Sequence, residues 1–508
     1  MHKTHKILVA NRGEIALRII RAAKELGIFT VAVFSESDRE SLAVRLADEA
    51  YNIGSDDLSD SYLNIEKIIM TAQKAECTAI HPGYGFLSEN AEFASRVISS
   101  GMIFIGPEPK TIIELGNKIR ARKIAEKALI PVIPGFNGEI KSGKQAKEIA
   151  KKIGFPLILK AAHGGGGRGM RIVTENNNLV ESVKQAISES LLSFGSKKVF
   201  MEKFVENAKH VEVQILADKF GNIIHLFDRD CSIQRKHQKM VEEAPCSILN
   251  THQRKKLYEY AKKIIKHVNY SGAATVEFLF DGKNDFYFLE VNPRIQVEHP
   301  ISEMITGIDI VKEQIKICLG ERLKFKQRDI NMSGHSIEVR ILAERNDDSG
   351  CFHPSFGKIE RFVSPSGMGI RMETACYSGM EISPKFDSMI GKLISFGKTR
   401  KDAIRKMQIA LSEIIIEGIE SNILFLRRIL KDSEFESGFY FTNFIQEMFS
   451  REGIEQDEDI LESAAIISAL LRFREEKKRL PVGEKIKKVV NRWNLAGRNE
   501  NFRSRRSL

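Results

Sequence analysis

Long hydrophobic runs and paired cysteines are both missing from this sequence of 508 residues. No stretch of about 18 uninterrupted apolar residues occurs, which excludes a transmembrane helix. No apolar core of about 7–15 residues follows the basic first residues, so we expect a cytoplasmic protein without a signal peptide. None of the six cysteines forms a CxxC pair or has a histidine at zinc-finger spacing, which favours small buried side chains over a metal site.

Most of the chain also lacks the basic charge expected of a nucleic-acid-binding protein. The net charge is +11, but residues 471–508 hold 13 Lys and Arg against four Glu, a surplus of nine that leaves +2 for residues 1–470. Aromatic residues, on which bases would stack, are sparse in that basic segment. We therefore expect no nucleic acid partner and a solvated or partner-docking tail, with DNA binding by the tail as the rival hypothesis.

What the sequence does contain is a globular composition, with 42% hydrophobic and 29% charged residues, and length for about three domains. The first hundred residues alternate strand and helix patterns, which predicts a doubly wound parallel sheet. The first strand-to-helix turn, residues 10–14, is Ala-Asn-Arg-Gly-Glu and not the G-x-G-x-x-G dinucleotide fingerprint. The patterns further predict a small α+β subdomain over 140–205, a strand-rich region over 205–330 and another α+β block over 332–446.

Glycines cluster directly after a predicted strand that ends near Lys160. Five of the six residues that follow His163 are glycine, so backbone N–H groups can approach an anion closely, and the mobility of such a loop suits a lid. No Gly-Lys-Ser/Thr opens a helix here, which excludes the P-loop pattern. A flexible surface hairpin is the alternative, since glycine runs are common in turns.

Two predicted strands further along carry acidic residues suited to a metal. Glu290 and Asn292 lie two residues apart and share one face, and Glu277 can join them if the strands pair in register. Two carboxylates and an amide oxygen suit Mg²⁺ that bridges nucleotide phosphates. Solvated acids on a sheet face are the alternative.

Charged residues of both signs flank these strands. Arg294, Gln296 and Glu298 alternate with apolar residues, and an extended segment would project all three to one side, where a guanidinium beside a carboxylate can hold an anion next to a base. Five potential cations within residues 229–239 are candidate clamps for a triphosphate and a small anion, as are Lys118 and Lys160. A surface salt bridge and a solvated loop are the alternatives.

The order of these motifs resembles the ATP-grasp superfamily, and within it the biotin carboxylase subunit of biotin-dependent carboxylases. The resemblance spans about residues 6–446. It is carried by Asn11–Ala16, His81–Asn90, the glycine loop, Arg229–Pro245, Glu290–His299 and Phe386–Lys392. The ten residues of His81–Asn90 are highly specific, whereas the glycine loop alone is not.

Patterns and resemblance together predict a fold of mixed α/β and α+β class. An N-terminal doubly wound parallel-sheet domain would cover residues 1–116, and an ATP-grasp domain would cover residues 117–330, with a mobile glycine-rich lid at about 132–204. A C-terminal α+β domain would follow over 331–446, and an extension, first acidic and then basic, over 447–508.

The resemblance also implies roles for individual residues. ATP would be bound by Lys118, Lys160, Gly166, Gly167, Glu202, Lys203, Val205, His210, His237, Glu277 and Glu290. Two Mg²⁺ or Mn²⁺ ions would be held by Glu277, Glu290 and Asn292. Bicarbonate and biotin would be bound by Tyr84, Lys239, Arg294, Gln296, Val297, Glu298 and Arg340, and the catalytic residues among them would be Lys239, Arg294, Glu298 and Arg340.

The implied reaction has two stages. Bicarbonate, deprotonated by Glu298, attacks the γ-phosphoryl group of ATP and gives carboxyphosphate and ADP. Carboxyphosphate splits into CO₂ and phosphate, the phosphate takes the N1′ proton of biotin, and the enolate, stabilised by Arg294, attacks CO₂. Phosphoryl transfer needs positioning and charge neutralisation, and a closed lid keeps carboxyphosphate from water.

Partners follow from what the chain does not contain. No lysine is flanked by methionine on both sides, so the biotin-accepting Met-Lys-Met signature is missing, as is the length for a carboxyltransferase domain. We expect biotin on a separate biotin carboxyl carrier protein and the carboxyltransferase on a further subunit. By analogy with relatives, we also expect a homodimer.

Two questions of function stay open at this point. The final acceptor is acetyl-CoA, propionyl-CoA or pyruvate; an acyl-CoA carboxylase is favoured, and the same half-reaction in a two-subunit pyruvate carboxylase is the alternative. A different ATP-grasp ligase, such as a carbamoyl-phosphate or purine-pathway enzyme, is disfavoured by residues 229–245 and 294–299.

Overall fold

A computed structural model describes residues 5–136, 140, 142–161, 170–175, 178–194, 198–236, 238–346 and 352–451. The glycine loop with Gly166 and Gly167, His237 and the basic tail lie outside the described residues. No helix of the described part is long and apolar enough to cross a membrane.

The N-terminal region is a five-stranded parallel sheet with the strand order β3-β2-β1-β4-β5. Alternate residues of the first strand face opposite ways, because side chains alternate along a strand. Ile7 packs with Ile15 and Ile19 of the first helix, whereas Leu8 packs in a second core with Phe93. The elements are β1 Lys6–Val9, α1 Gly13–Glu25, β2 Phe29–Ser35, α2 Leu42–Leu46, β3 Glu49–Gly54, α3 Ile65–Lys74, β4 Ala79–His81, α4 Ala91–Ser99, β5 Ile103–Phe104 and α5 Pro109–Gly116.

A small sheet of four strands, in the order β6-β9-β7-β8, forms the predicted lid region. Its helices pack on the sheet through a core of their own, which includes Leu157, Leu159 and Met201. The helix Gly143–Ile153 begins at a side-chain cap, because Ser142 Oγ accepts a hydrogen bond from the Gln145 N–H at 3.2 Å. Helix α6, Lys118–Lys127, precedes the small sheet and packs on the core of the large sheet. The elements of the small sheet and its helices are β6 Gly135–Phe136, α7 Gly143–Ile153, β7 Leu157–Ala161, β8 Met170–Val173, α8 Leu179–Phe194 and β9 Val199–Lys203.

The large sheet has eight strands, in the order Phe286–Asn292, Gly272–Phe280, Lys209–Ala217, Ile223–Arg235, Gln238–Ala244, His335–Leu342, Met389–Gly397 and Ile370–Thr374. Its first half is strand-rich, as the sequence predicts, with antiparallel neighbours. The elements of this half and its helices are β10 Lys209–Ala217, β11 Ile223–Arg235, β12 Gln238–Ala244, α9 Thr251–His267, β13 Gly272–Phe280, β14 Phe286–Asn292, α10 His299–Thr306 and α11 Ile310–Cys318.

The same sheet continues into the C-terminal region, because β12 pairs with β15. The division predicted between residues 330 and 331 therefore crosses one continuous sheet. The remaining elements are β15 His335–Leu342, β16 Glu344–Asn346, β17 Phe352–Pro354, β18 Gly357–Lys358, β19 Arg361–Val363, β20 Ile370–Thr374, β21 Glu381–Ile382, β22 Met389–Gly397, α12 Arg400–Glu413, β23 Ile415–Glu417, α13 Ile423–Ile429, α14 Ser433–Ser437 and α15 Phe444–Arg451.

Candidate active site

One cavity of about 990 Å³ gathers side chains from the N-terminal region, the small sheet and the large sheet. Most of the residues predicted from the sequence to form the site line it: Tyr84, Lys118, Lys160, Glu202, Lys203, Val205, His210, Lys239, Glu277, Glu290, Asn292, Arg294, Gln296, Val297 and Arg340. Glu298 lies behind this wall and is fully buried. Gly166, Gly167 and His237 lie outside the described residues.

Sheet register places a row of charged residues across four strands. Glu290 of β14 is opposite Glu277 of β13, Glu277 is opposite Glu212 of β10, and Glu212 is opposite Arg229 of β11. Directly opposite residues point to the same face with Cβ atoms about 5 Å apart. Three acids therefore stand side by side on one face of the sheet and need cations to balance them.

Lys239, on β12, supplies one of those cations. Its Nζ donates to Glu212 Oε2 at 2.7 Å, to Glu277 Oε1 at 3.0 Å and to Glu298 Oε1 at 2.6 Å. Burial opposes charge on this lysine, but the three carboxylates outweigh it and raise the pKa of Lys239 well above its ordinary value. Lys239 is therefore a charged ammonium at the centre of the acids.

Glu298 is the residue directly before α10, and its side chain is held between two cations. Besides Lys239, Arg340 Nη2 lies 3.0 Å from Glu298 Oε2. Burial favours the neutral acid, but Lys239, Arg340 and Arg229 outweigh it and hold the pKa of Glu298 well below its ordinary value. The group is thus an ionised carboxylate, and an anion that draws these cations to itself makes Glu298 more basic.

The acids beside Lys239 fit a divalent cation. Asn292 Nδ2 donates to Glu277 Oε1 at 2.9 Å, which fixes the amide beside the carboxylate pair. Burial and the charge of Glu277 raise the pKa of Glu290. Against the effect of burial, Lys239 and His210 lower the pKa of Glu277, so the positive charge is short at Glu290. The carboxylate and amide oxygens of this group are the ligands that Mg²⁺ and Mn²⁺ take.

The lid side of the cavity is held by a separate ion-pair group. Glu202 Oε2 accepts from Lys160 Nζ at 2.7 Å, and Glu202 Oε1 accepts from Arg122 Nη1 at 3.0 Å. Lys160 and Glu202 are neighbours because β7 and β9 are antiparallel strands of the small sheet. The ammonium group of Lys160 therefore lines the cavity from the small sheet and not from the large sheet.

Arg294 lies at the opposite end of the cavity. Its Nε donates to Glu89 Oε1 at 2.5 Å, and its Nη1 donates to Gln296 Oε1 at 2.9 Å. Tyr84, also at this end, donates its hydroxyl to Glu14, and burial together with that carboxylate raises the pKa of the tyrosine. An anionic or ureido oxygen here meets a guanidinium that is already oriented.

One local expectation from the sequence was wrong in form. Residues 293–298 are not an extended strip but a loop and turn that lead into α10, and Ile295 anchors the loop in the N-terminal core. The alternative of a solvated loop for the cations of 229–239 does not hold for Arg229, because β11 and β12 form a hairpin and Arg229 is fully buried against Glu212 at 2.5 Å. Arg294, Gln296 and Glu298 nevertheless reach the same charge network, because Gln296 Nε2 donates to Glu277 Oε1 at 3.1 Å.

Sequence reasoning missed three residues that organise the site. Glu212 pairs with both Arg229 and Lys239, Gln234 Nε2 lies 2.7 Å from His210 Nδ1, and Glu89 holds Arg294. The signal for Glu212 was present in the sequence, because polar residues alternate along β10 at positions 210, 212 and 214. Glu89 gave no comparable signal, since it meets Arg294 only through the tertiary fold.

A small lid sheet, a large sheet and a cavity lined by lysines and acids from both define an ATP-dependent ligase of the ATP-grasp class. Residues 3–112 match the sequence model of the biotin carboxylase N-terminal domain, and residues 338–447 match that of its C-terminal domain. Residues 117–326 match the ATP-binding domain of the carbamoyl-phosphate synthase L chain.

Curated relatives agree with these matches. The chain is 49% identical over 444 residues to the biotin carboxylase of Allochromatium vinosum, covering 87% of this chain and 98% of the relative. It is 48% identical to a pyruvate carboxylase subunit of Methanothermobacter thermautotrophicus, covering 89% and 91%.

Solved structures agree as well. A biotin carboxylase from Campylobacter jejuni in complex with a β,γ-ATP compound superposes with a TM-score of 0.84 at 44% identity, covering 87% of this chain and 98% of that one. The biotin carboxylase domain dimer of the 2-oxoglutarate carboxylase of Hydrogenobacter thermophilus, in complex with MgADP, ADP and bicarbonate, gives 0.83 at 48% identity, covering 87% and 97%. The chain belongs to the biotin carboxylase family, and it is a ligase that carboxylates biotin with the energy of ATP. The predicted family and fold class are confirmed.

Proposed function

We propose that the cavity carboxylates biotin on a separate carrier protein by way of carboxyphosphate, with Glu298 as the base. The observation that supports this most is the placement of Glu298 as an ionised carboxylate between Lys239 and Arg340, at 2.6 and 3.0 Å. Bicarbonate that enters beside these cations gives up its proton to Glu298, because Lys239 and Arg340 turn from the carboxylate to the substrate anion.

The bicarbonate subsite is formed by Lys239, Arg340, Gln296, Val297 and Arg294. The two cations stabilise the doubly charged carbonate that attacks the γ-phosphoryl group, and Gln296 orients it through its amide. Val297 acts through its backbone, whose carbonyl oxygen accepts from Lys392 Nζ at 2.5 Å and is thereby fixed. In this arrangement charge is stabilised by groups that are already in place, which is the main requirement of phosphoryl transfer.

The nucleotide end is formed by the acids of the large sheet and the lysines around them. Glu277, Glu290 and Asn292 would hold Mg²⁺ or Mn²⁺, which neutralises phosphate charge when bound. Lys118, Lys160 and His210 contact the phosphates or ribose, Glu202, Lys203 and Val205 border the adenine, and Gly166, Gly167 and His237 complete the closed site. The complexes of the two relatives with an ATP compound and with MgADP support this assignment by similarity.

The biotin end is formed by Tyr84, Arg294 and Arg340. Arg294 stabilises negative charge on the ureido oxygen while phosphate takes the N1′ proton, and Arg340 passes from bicarbonate to the ureido group. Glu89 and Asn292 hold the Arg294 guanidinium, with Asn292 Oδ1 accepting from Nη2 at 3.1 Å.

Bicarbonate labelled with oxygen-18 tests the proposed route directly. Attack of a bicarbonate oxygen on the γ-phosphoryl group leaves that oxygen in the phosphate product, so one labelled oxygen per phosphate is expected by mass spectrometry. Phosphate whose fourth oxygen comes from the solvent would mean that water, and not bicarbonate, attacks ATP.

Partners and acceptor belong to the same proposal. A carrier protein brings biotin, and a carboxyltransferase subunit uses carboxybiotin. The carboxylase is cytoplasmic and a homodimer, and the dimer structure of the Hydrogenobacter relative supports the homodimer by similarity.

An acyl-CoA is the proposed acceptor of the carboxyl group. Pyruvate is the second candidate, favoured by the match to the pyruvate carboxylase subunit of Methanothermobacter. Reconstitution with each type of carboxyltransferase, followed by transfer of labelled carbon to acetyl-CoA, propionyl-CoA or pyruvate, decides between them. The proposed domain limits are 1–116, 117–330, 331–446 and 447–508, with one continuous sheet shared by the second and third domains.

A further inference from the structure

One proton per turnover is left inside the protein by the proposed reaction, on which this inference rests. Glu298 takes a proton from bicarbonate, and phosphate later takes the N1′ proton of biotin, so no product carries the first proton away. Glu298 is 0% exposed. While the reactants fill the cavity, it therefore needs a neighbouring acceptor to become a carboxylate again.

A pair of buried acids lies directly behind Arg340. Glu242 of β12 and Glu338 of β15 are opposite each other in the sheet, so their side chains share one face about 5 Å apart at Cβ. Both are 0% exposed. Both oxygens of Glu338 and Oε2 of Glu242 have no hydrogen-bond partner among the described residues, although burial of such groups normally requires one.

One proton on this pair accounts for its burial. Two adjacent buried carboxyl groups cannot both be ionised, so one of the two is a neutral acid. The groups that face Glu338 are Glu242 of β12, Arg340 of its own strand, Lys392 of β22 and Glu298 at the start of α10. Lys392 is already engaged, by Glu14 Oε1 at 3.1 Å and by the carbonyl of Val297, so Glu338 stays the neutral member.

Arg340 connects this pair to the base. Its Nη2 lies 2.6 Å from Glu242 Oε1 and 3.0 Å from Glu298 Oε2, so the two carboxyl groups touch one nitrogen atom. When Arg340 turns toward bicarbonate, its guanidinium leaves the space between those two oxygens.

We propose that Glu242, backed by Glu338, is the acceptor that takes the bicarbonate proton from Glu298. In this step the O–H bond of Glu298 breaks and an O–H bond forms on Glu242; Glu298 returns to a carboxylate, and both members of the pair are neutral. When the products leave and Arg340 returns, the O–H bond of Glu242 breaks, a water molecule that enters the emptied cavity takes the proton, and Glu242 is a carboxylate again.

The ionisation of the pair agrees with this step. Burial, with the charge of Glu298, raises the pKa of Glu242 to about 7 against the opposing effects of Arg340 and Lys239. Burial, with the charges of Glu242 and Glu298, raises the pKa of Glu338 well above its ordinary value against the opposing effect of Lys392. An acceptor that titrates near neutral pH can take and release a proton in each cycle.

Rapid-quench kinetics of Glu242→Gln test the proposal. The amide keeps the size of the side chain and an oxygen for Arg340, but it cannot take a proton. We expect formation of the first ADP per site to stay within a few-fold of wild type, whereas steady-state turnover falls by at least about tenfold, so that a burst develops. An equal loss in the first and later turnovers would show that Glu242 only positions Arg340, and the proposal would be wrong.

The dependence of kcat on pH in Glu338→Gln is an independent test, because a purely structural role of Glu338 would not shift it. The amide N–H of the variant is a weaker donor to the ionised Glu242 than the O–H of the neutral Glu338, so the pKa of Glu242 rises and we expect the rising limb of kcat against pH to move to higher pH by about one unit. Glu243→Gln is the matched control: the residue is equally buried on the same strand but points to the other face, where it pairs with His335 and Arg400. It should leave the limb in place and show no burst. A limb that stays at its wild-type position in Glu338→Gln overturns the proposal, whereas wild-type protein without bicarbonate-dependent ADP formation overturns the proposed function itself.

Discussion

The large sheet and the small lid sheet present their charges to the same cavity in different ways. On the side of the large sheet, Lys239 donates to both Glu277 and Glu298 in one continuous network. On the lid, Lys160 bonds to Glu202 within a sheet whose core shares no residue with the core of the large sheet. The residues proposed to hold and deprotonate bicarbonate thus belong to one network, whereas the lysine proposed to contact phosphate belongs to a sheet with a core of its own.

This contrast has a physical reason. Chemistry at bicarbonate depends on sub-ångström placement of a base and its cations, which sheet register provides. A nucleotide must enter and leave, and water must be excluded only while carboxyphosphate exists. Both requirements favour phosphate contacts on a lid that packs separately from the large sheet. Substitutions on the large-sheet side and on the lid should therefore change different kinetic constants.

Glu298→Gln should have the largest effect, on the large-sheet side of the comparison. Removal of the base lowers bicarbonate-dependent ATP cleavage by about 10²–10⁴-fold, while ATP affinity stays nearly unchanged, because no nucleotide contact is altered. Steady-state ADP release and equilibrium binding of ATP are the measurements. Turnover that persists at the wild-type level would mean that the base lies elsewhere.

Lys239→Ala should be next in size, and it affects both bicarbonate and stability. The Michaelis constant for bicarbonate rises, and about 3–5 kcal/mol of stability is lost, because Glu212, Glu277 and Glu298 are left without their shared cation. Initial rates over a bicarbonate series and urea unfolding report the two effects. An effect confined to ATP affinity would contradict the assignment.

Lys160→Ala should reverse the pattern, because it lies on the lid. We expect the Michaelis constant for ATP to rise about tenfold while that for bicarbonate is unchanged, since the ammonium is aimed at phosphate and Glu202 keeps Arg122 as a partner. Lys151→Ala, on the exposed face of α7, is the matched control and should leave both constants unchanged. A bicarbonate effect from Lys160→Ala would erase the contrast between the large sheet and the lid.

Leu159→Ala should have the smallest effect on the chemistry. Leu159 is 0% exposed in the lid core, and its truncation destabilises that core by about 2–5 kcal/mol. Limited proteolysis should then cut within residues 140–203 first, while kcat at saturating ATP changes little. Simultaneous loss of protection in the large sheet would mean that the two cores unfold together.

The sequence predicted much of this molecule because its signals are local. The alternation of strand and helix predicted for the first hundred residues begins with Lys6–Val9 and Gly13–Glu25, since apolar periodicity determines them directly. The sequence left the register of the strands of Glu277 and Glu290 as a condition, and the structure has the register that brings the two acids together.

What sequence reasoning missed depends on contacts between distant segments. Glu89 meets Arg294 across 205 positions, and Glu242 meets Glu338 only because β12 pairs with β15. The turn at 293–298 was missed because Ile295 is drawn into the N-terminal core, which overrides the alternation that predicted an extended strip.

Transfer of labelled bicarbonate to free biotin in the presence of ATP and Mg²⁺ tests the central claim most directly. The account predicts acid-labile label on biotin in equal amount to the biotin-dependent ADP formed, with no stimulation by ammonia. ATP cleavage that depends on ammonia, or that leaves biotin unlabelled, would contradict it.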